Sequence, residues 1–595
     1  MLILGINAGH CATACLAEDG RVVGCVSEER FSRIKNHAGL PLRSIQSVLR
    51  EHGASTADLD AVVMDNNLAG TPRFGDWFLE RYRHPSLWRR LAAECGYRFP
   101  RLFGAYLDLR RPVDRHGMTR NAARLGPHVA GMLGVEPARV HVIHHHLAHA
   151  LAPCFNLPRG ETLVFTLDGE GDRVCASVNV FDGQTLRVLA RTDRSASLGY
   201  LYGLATLHLG MKPLEHEFKV MGLAPYARQE DVDPVYETLR GVLGVDDTLR
   251  FRSRFHMHFA DRFFARELRH ARFDAVAGAV QRLSETLVTD WVRLAIGRTG
   301  IRRIAVSGGV FMNVKINKVL AELPEVEHLF VMPSCGDESN AIGSCLYGYR
   351  HLCDERGVAF EPTPLRSLYL GPDCSRADVD RLIRERDLGA SYEISEPADV
   401  HAETAALLAR GDIVARCAGR SEWGARALGH RSILAHPGHA AIVRTLNTAI
   451  KGRDFWMPFA PSILSEDAAR YLRNPSGIDA PYMSMAFDAT SDATHDLPAA
   501  MHPYDRTMRP QVVCREWSPD YHRVISRFRE LTGIGGVLNT SFNVHGEPNV
   551  LTPEDALHTM DVSGLEYLVL GTHLLKKRRL GARDAGPLPT TPAAR

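Results

Sequence analysis

The chain has 595 residues, 45% apolar and 24% charged, with 71 Lys and Arg against 69 Asp and Glu. That composition excludes a largely disordered protein, and a net charge of +2 gives no basic field of the kind that holds nucleic acid. Mean hydropathy is −0.15 and no run of eighteen apolar residues occurs, so no membrane-crossing helix is expected. The start MLILGINAGH has neither a basic segment nor a cleavage site, so a signal peptide is not expected. Twelve scattered Cys without a CxxC pair read as reduced thiols of a cytoplasmic protein.

In chain order, the apolar run 2–7 predicts a buried strand, followed by the turn Ala8-Gly9-His10 and strands at 12–17 and 21–26 joined by Asp19-Gly20. Residues 71–128, rich in Arg and aromatics, predict an inserted helical lobe, either surface packing or a cap that binds an acceptor. The first pattern then recurs. A strand at 162–167, an acid and Gly turn at 168–172, a strand at 175–181, Asp182-Gly183 and a strand at 186–191 follow one another. Two copies of strand, turn, strand, Asp-Gly and strand predict two related lobes with a cleft between them, as in the duplicated actin-like, sugar-kinase-like fold. Residues 233–300 predict a second helical stretch. A strand at 303–307, a helix at 312–323 opened by Gly308-Gly309, a strand at 328–332 and a helix from Ser339 come next. The Pro-rich segment 356–372 predicts a linker between residues 1–355 and a second α/β unit at 373–578. That unit begins with a helix at 400–410 and strands at 413–417 and 432–435, and 579–595 predicts a tail without fixed structure.

His145 and His149, in HHHLAHA, are i and i+4 on a helix, so both imidazoles face one way. That spacing suits two ligands of one ion, or a histidine-rich helix start in solvent. No Glu follows His145, which excludes the HExxH chemistry. Asp168 and Asp337, each at the end of a strand, are candidate third and fourth ligands. Two His with two carboxylates suit Fe(II), Mn(II) or Zn(II). Gly308-Gly309 between strand and helix allows backbone N–H groups to approach a phosphate, or is only a tight connection. In the second unit, Arg and Lys interleave with Gly from Gly419 to Ser432, at Lys451-Gly452-Arg453 and at Arg509, which suggests an oxyanion pocket.

Taken together the segments LGINAGHCATACL, SEERFSRIKNH, HHHLAHA, TLDGEGD, EFKVMGLAPYA, SGGVFMNVKIN, PSCGDESNAIG, GRSEWGARALGHRSIL, KGRDFWMPFAPSIL, RPQVV and LNTSFNVHGEP resemble the NodU/CmcH-type O-carbamoyltransferases. The resemblance runs from Met1 to about Lys577. It implies an actin-like N-terminal domain similar to that of the tRNA threonylcarbamoyl transferases, followed by a YrdC-like α/β domain. It further implies that carbamoyl phosphate and ATP form carbamoyladenylate in the YrdC-like part, and that an acceptor hydroxyl attacks the carbamoyl carbon in the actin-like part. By the same resemblance His145, His149, Asp168 and Asp337 hold a divalent metal, Fe(II) or else Mn, Zn or Mg. His10 is the candidate base, and Lys35 matches the basic residue after EER. Lys219, Gly308, Gly309 and Asn313 lie near ATP, and Arg426, Lys451, Arg509 and Ser541 surround carbamoyl phosphate. Where relatives more often have GD-x-G, this chain has Gly336-Asp337-Glu338-Ser339.

The partners so implied are carbamoyl phosphate, ATP and a small hydroxyl-bearing natural product, an antibiotic, sugar or macrocycle. Neither nucleic acid nor membrane is expected, and a homodimer stays open. One rival is a tRNA threonylcarbamoyladenosine-type enzyme, which near-neutral charge disfavours. Another is a regulatory protein that binds metal and nucleotide. A sugar kinase would leave the second unit unexplained.

Overall fold

The computed structural model of the protein describes residues 1–99, 102 and 122–578. Strand β1 (Leu2–Ala8) is apolar at almost every position and buried on both faces, as a central strand requires. It pairs antiparallel with β2 (Thr13–Glu18), which pairs with β3 (Arg21–Ser27). On its other side it runs parallel to β4 (Ala61–Leu68), and β4 to β5 (Val140–Ile143). The same order recurs with β6 (Thr162–Gly171), β7 (Val174–Phe181) and β8 (Leu186–Asp193). After a two-stranded ribbon, β9 (Leu243–Val245) and β10 (Phe251–Ser253), it is completed by β11 (Arg303–Ser307) and β12 (His328–Val331). The sheets β3-β2-β1-β4-β5 and β8-β7-β6-β11-β12 have one topology, so the N-terminal half is the duplicated actin-like fold.

Two local expectations are corrected. Residues 168–171, expected as a turn, extend β6, and the reversal is confined to Asp172 and Arg173, both at positive φ. Asp and Gly favour turns in isolation, but pairing with β7, which carries an irregular register past Leu167, holds this segment extended. The helical stretch expected at 233–300 is interrupted by β9 and β10, whose three residues each carry no periodic signal.

The helices that build the site are α1 (Phe74–Arg83), α2 (Leu87–Arg98), α3 (His145–Leu151), α4 (Leu198–His208), α5 (Glu217–Leu223), α6 (Phe273–Thr299), α7 (Val314–Ala321) and α8 (Asn340–Arg356). Helices α1 and α2 belong to the expected inserted lobe; its residues 100, 101 and 103–121 lie outside the described residues, as does the tail 579–595. Helix α7 starts later than expected because Asn313 caps it, its Oδ1 accepting the N–H groups of Lys315 and Ile316 at 3.2 and 3.3 Å. Helix α8 lies directly on β1 and α3. A Cβ on Gly5 would collide with the Ala341 carbonyl, and one on Gly343 with that of Ala148.

After the Pro-rich segment, β13 (Asp373–Cys374) leads to β14 (Tyr392–Ser395), β15 (Val414–Cys417), β16 (Gly419–Arg420), β17 (Arg431–Ala435) and β18 (Ala460–Leu464). A small sheet of β19 (Leu472–Arg473), β20 (Phe487–Ala489) and β21 (Thr507–Met508) follows. The chain ends in β22 (Gln511–Val513), β23 (Gly536–Ser541), β24 (Tyr567–Leu570) and β25 (His573–Lys577). Eight of these form a mixed sheet in the order β14-β25-β24-β15-β17-β23-β18-β22. Its two faces carry separate apolar clusters, built around Leu538 and Leu568 on one and Tyr521 and Phe528 on the other. The larger core of the actin-like sheets does not stop at the linker: Trp423, Tyr471, Tyr482, Met485 and Met508 belong to it. Among the described residues no helix is long and apolar enough to cross a membrane.

Candidate active site

Helix α3 starts where β5 ends, and its first and fifth residues, His145 and His149, are fully buried with ring centroids 4.7 Å apart. From the paired sheet β6 brings Asp168, and the turn after β12 brings Asp337. One donor atom from each of these four residues lies within 4.8 Å of the others. His145 Nε2 is 3.6 Å from Asp168 and 3.7 Å from Asp337, and His149 Nε2 is 3.3 Å from Asp337.

The tautomer of His145 follows from its second nitrogen. Nδ1 donates to Asp65 Oδ2 at 2.7 Å, which leaves the Nε2 lone pair aimed at Asp168 and Asp337. Its backbone N–H donates to Asp172 Oδ2 at 2.9 Å. Gly171 leaves room for the ring, since a Cβ there would overlap it. His146 is buried but occupied otherwise, between Thr166 Oγ1 at 2.7 Å and the Val174 carbonyl at 2.9 Å. Burial alone would lower the basicity of His145; Asp337, Asp168 and Asp65 reverse that and raise it well above the usual imidazole range. Burial opposes the charge of Asp168, yet the neighbouring imidazoles hold its carboxyl well below the usual range. His145 Nε2 and His149 Nε2 are buried atoms with no hydrogen-bond partner, in a pocket that gathers three carboxylates. Three carboxylates gathered on two imidazoles call for positive charge between them, which a proton on the imidazole or a divalent ion in its place supplies, so the donor set fits a divalent metal.

A complementary site lies in the C-terminal half. Arg426, Arg453 and Arg509 are recessed and close enough to feel one another, and none is in ion-pair contact with a carboxylate among the described residues. Burial pushes Arg426 and Arg453 down to about 10, and burial with its two neighbours pushes Arg509 down well below the usual range. Lys451, fully covered, donates to the Ser541 carbonyl, to the Asn543 carbonyl at 2.9 Å and to Asn543 Oδ1 at 2.7 Å. Burial, with Arg453 and Lys35 nearby, pushes its ammonium down well below the usual range. Such a crowd of cations is what an oxyanion pocket supplies before its ligand arrives. The two sites adjoin. Glu338, next to Asp337, bonds to Ser334 Oγ, which accepts the Ala425 N–H at 3.1 Å, and the carboxyl of Glu338 acts on the Arg426 guanidinium.

Residues 2–346 match the family model for the carbamoyltransferase N-terminus, and residues 405–577 match that for the carbamoyltransferase C-terminus. The chain belongs to the carbamoyltransferase family. Nodulation protein NolNO of Sinorhizobium fredii is 31% identical over 98% of this carbamoyltransferase and 84% of its own length. The 3'-hydroxymethylcephem-O-carbamoyltransferase of Amycolatopsis lactamdurans is 27% identical over 72% of the chain and 78% of its own. Among solved structures, full-length HypF in its phosphate- and nucleotide-bound form covers 60% of the chain and 47% of its own, at 14% identity and a TM-score of 0.35.

The remaining expected residues of the carbamoyltransferase are distributed as follows. Gly309 donates its N–H to Asp168 Oδ1 at 2.9 Å, and Gly308, at a φ of 102°, packs on Leu167. Asn313, besides capping α7, exchanges hydrogen bonds with Gln281 at 2.8 and 3.1 Å. Lys219 pairs with Asp454 of the C-terminal half at 3.0 Å, and Lys35 pairs with Glu215 at 3.4 Å. His10 lies in the turn after β1 with Nδ1 3.3 Å from Cys11 Sγ, while its Nε2 is buried without a partner. Sequence reasoning missed Asp65 as a site residue. Asp65 carried a signal, a lone acid after the apolar run AVVM of β4.

Proposed function

We propose that this carbamoyltransferase is ATP-dependent, makes carbamoyladenylate from carbamoyl phosphate and ATP, and carries the carbamoyl group to a hydroxyl of a small natural product. The observation that supports this most is the pairing within one chain of a cation pocket short of anions with an adjoining His–Asp centre short of cations.

In the C-terminal pocket Arg426, Arg453, Arg509 and Lys451 neutralise phosphate oxygens, and Lys35 adds to their field. Water takes the carbamoyl carbon from phosphate, phosphate leaves, and the carbamate oxygen attacks the α-phosphorus of ATP with loss of pyrophosphate. In the N-terminal half the acceptor oxygen bonds to the carbamoyl carbon and AMP leaves. His10, through its unpartnered Nε2, takes the hydroxyl proton. Gly308, Gly309 and Asn313 border the nucleotide, and Lys219 joins that border to the C-terminal half through Asp454. A divalent ion, Fe(II), Mn(II) or Zn(II), held by His145, His149, Asp168 and Asp337 would supply Lewis-acid polarisation of phosphate and carbamoyl oxygens. Adjoining sites keep a water-labile intermediate out of bulk solvent. The reaction belongs in the cytoplasm, where ATP is supplied.

The test is to incubate the protein with ATP, carbamoyl phosphate and Fe(II) or Mn(II), without acceptor, and to follow AMP and pyrophosphate. Release of both that needs carbamoyl phosphate and is lost in Arg509→Ala is the expected result. ADP in place of AMP, or no nucleotide turnover, refutes it.

A further inference from the structure

Arg426 stands at a seam between the two halves of the chain. The backbone after it is held within the C-terminal half. Asn539 Nδ2 donates to the Ala427 carbonyl at 3.1 Å, and Gln511 Nε2 to the Leu428 carbonyl at 2.9 Å. Glu422 Oε1 closes the loop from inside, accepting the N–H groups of Leu428 at 2.7 Å and Arg431 at 3.2 Å. The backbone before it is held from the N-terminal half. Arg30, in the helical turn Glu29–Ser32, donates from Nη2 to the Gly424 carbonyl at 3.0 Å. The Ala425 N–H donates to Ser334 Oγ at 3.1 Å. That carbonyl and that N–H belong to one planar peptide group, so two N-terminal side chains fix the peptide that precedes Arg426 by one residue.

The local chemistry suits this hold. Ser334 is 1% exposed and has one hydroxyl proton, which goes to Glu338 Oε1, so a lone pair is left for the Ala425 N–H. Gly424 has a φ of 99°, and a Cβ on it would lie 2.9 Å from the Ser334 Cβ, so only glycine allows the approach. Arg30 is 5% exposed, and burial lowers its basicity. Its charge is kept by Glu29, 3.8 Å from Nε, and by the Gly424 carbonyl. The hold opposes a repulsion. Arg426 acts on both Arg453 and Arg509, and a guanidinium on a loose loop would turn away from them into water.

We infer that Ser334 and Arg30 are positioning residues for Arg426, and that the N-terminal half in this way completes the anion pocket of the C-terminal half. The inference rests on reading that pocket as the phosphate site and deepens it. A phosphate group held by Arg453 and Arg509 gains its third guanidinium only while the Gly424–Ala425 peptide is clamped. The far end of the clamp is Glu338, the neighbour of Asp337, so the same hydrogen-bonded path ends at the His–Asp centre.

Inorganic phosphate gives the readout, titrated calorimetrically into the full chain in phosphate-free buffer. Wild type, Ser334→Ala, Arg30→Gln, Arg426→Met and the double variant Ser334→Ala with Arg426→Met are compared. Saturable binding to wild type is expected, weakened about tenfold in each single variant. In the double variant the affinity stays within about twofold of Arg426→Met alone, because no guanidinium is left to aim. A general loosening of the fold would weaken Arg453 and Arg509 as well, and the two losses would then multiply. Multiplied losses, or wild-type affinity in Ser334→Ala, overturn the inference. Absence of phosphate binding by wild type refutes the phosphate reading, and the positioning role falls with it. In AMP release with ATP and carbamoyl phosphate, Ser334→Ala raises the KM for carbamoyl phosphate about tenfold and leaves kcat within about twofold. A fall in kcat with KM unchanged counts against a role through Arg426.

Discussion

Asp65 Oδ2 and His145 Nδ1 meet at 2.7 Å with both side chains completely covered. The bond fixes which imidazole nitrogen carries the proton, so the other offers its lone pair to the space between Asp168 and Asp337. Asn340 Nδ2 closes the group, 3.3 Å from the same Asp65 oxygen and 3.2 Å from His145 Nδ1.

Replacing Asp65 by Asn removes that orienting carboxylate and leaves all four candidate ligands in place. Affinity for Mn(II) or Co(II), measured by titration of the metal-free protein, falls about 10- to 100-fold, with the circular dichroism spectrum unchanged. Equal affinity in wild type and variant would mean that helix packing alone orients the ring.

The approach of α8 to α3 depends on Gly343, because a methyl group there meets the Ala148 carbonyl. Gly343→Ala forces the helices apart or bends one of them. The expected cost is about 1–3 kcal/mol, seen as a lower denaturation midpoint, with weaker metal binding because His149 follows Ala148. A variant as stable as wild type would show that the contact is slack.

Arg509 is held near Arg426 and Arg453 at an electrostatic cost when no anion is present. Arg509→Met is therefore expected to melt no lower than wild type in phosphate-free buffer. Inorganic phosphate at about 100 times its dissociation constant adds about 2.7 kcal/mol to wild type, and little to the variant. Equal phosphate stabilisation of both proteins would remove Arg509 from the pocket.

Glu217, on α5, accepts the Leu214 N–H at 2.6 Å, and burial pushes its carboxyl up from 4.5 to about 7. Between those values the folded chain retains a proton that the unfolded chain has lost. Wild type therefore loses stability as pH rises from 4.5 to about 7, by at most about 1.4 kcal/mol per unit. Glu217→Gln cannot titrate, so denaturant curves across that range should show the variant gaining on wild type. Parallel pH profiles would place the carboxyl in solvent.

The duplicated lobes were legible because their parts are local: apolar strands, Asp-Gly reversals and the i, i+4 spacing of His145 and His149. Asp168 and Asp337 were legible as acids at strand ends. Asp65 was not, because the partner that gives it a role is 80 residues away and a lone acid after an apolar strand does not by itself point to that partner. Likewise, residues 168–171 look like a turn until β7 is present to pair with them, and β9 and β10 are too short to show a period.

Tyr482, Met485 and Met508 belong to one continuous apolar interior with the two actin-like sheets. A chain severed between residues 357 and 372 would leave that interior open on one fragment and three large apolar side chains stranded on the other. The fragments would be recovered together or not at all, and heat should melt the joined chain in one transition. Chemistry divided between two pockets is in this way tied to a single act of folding.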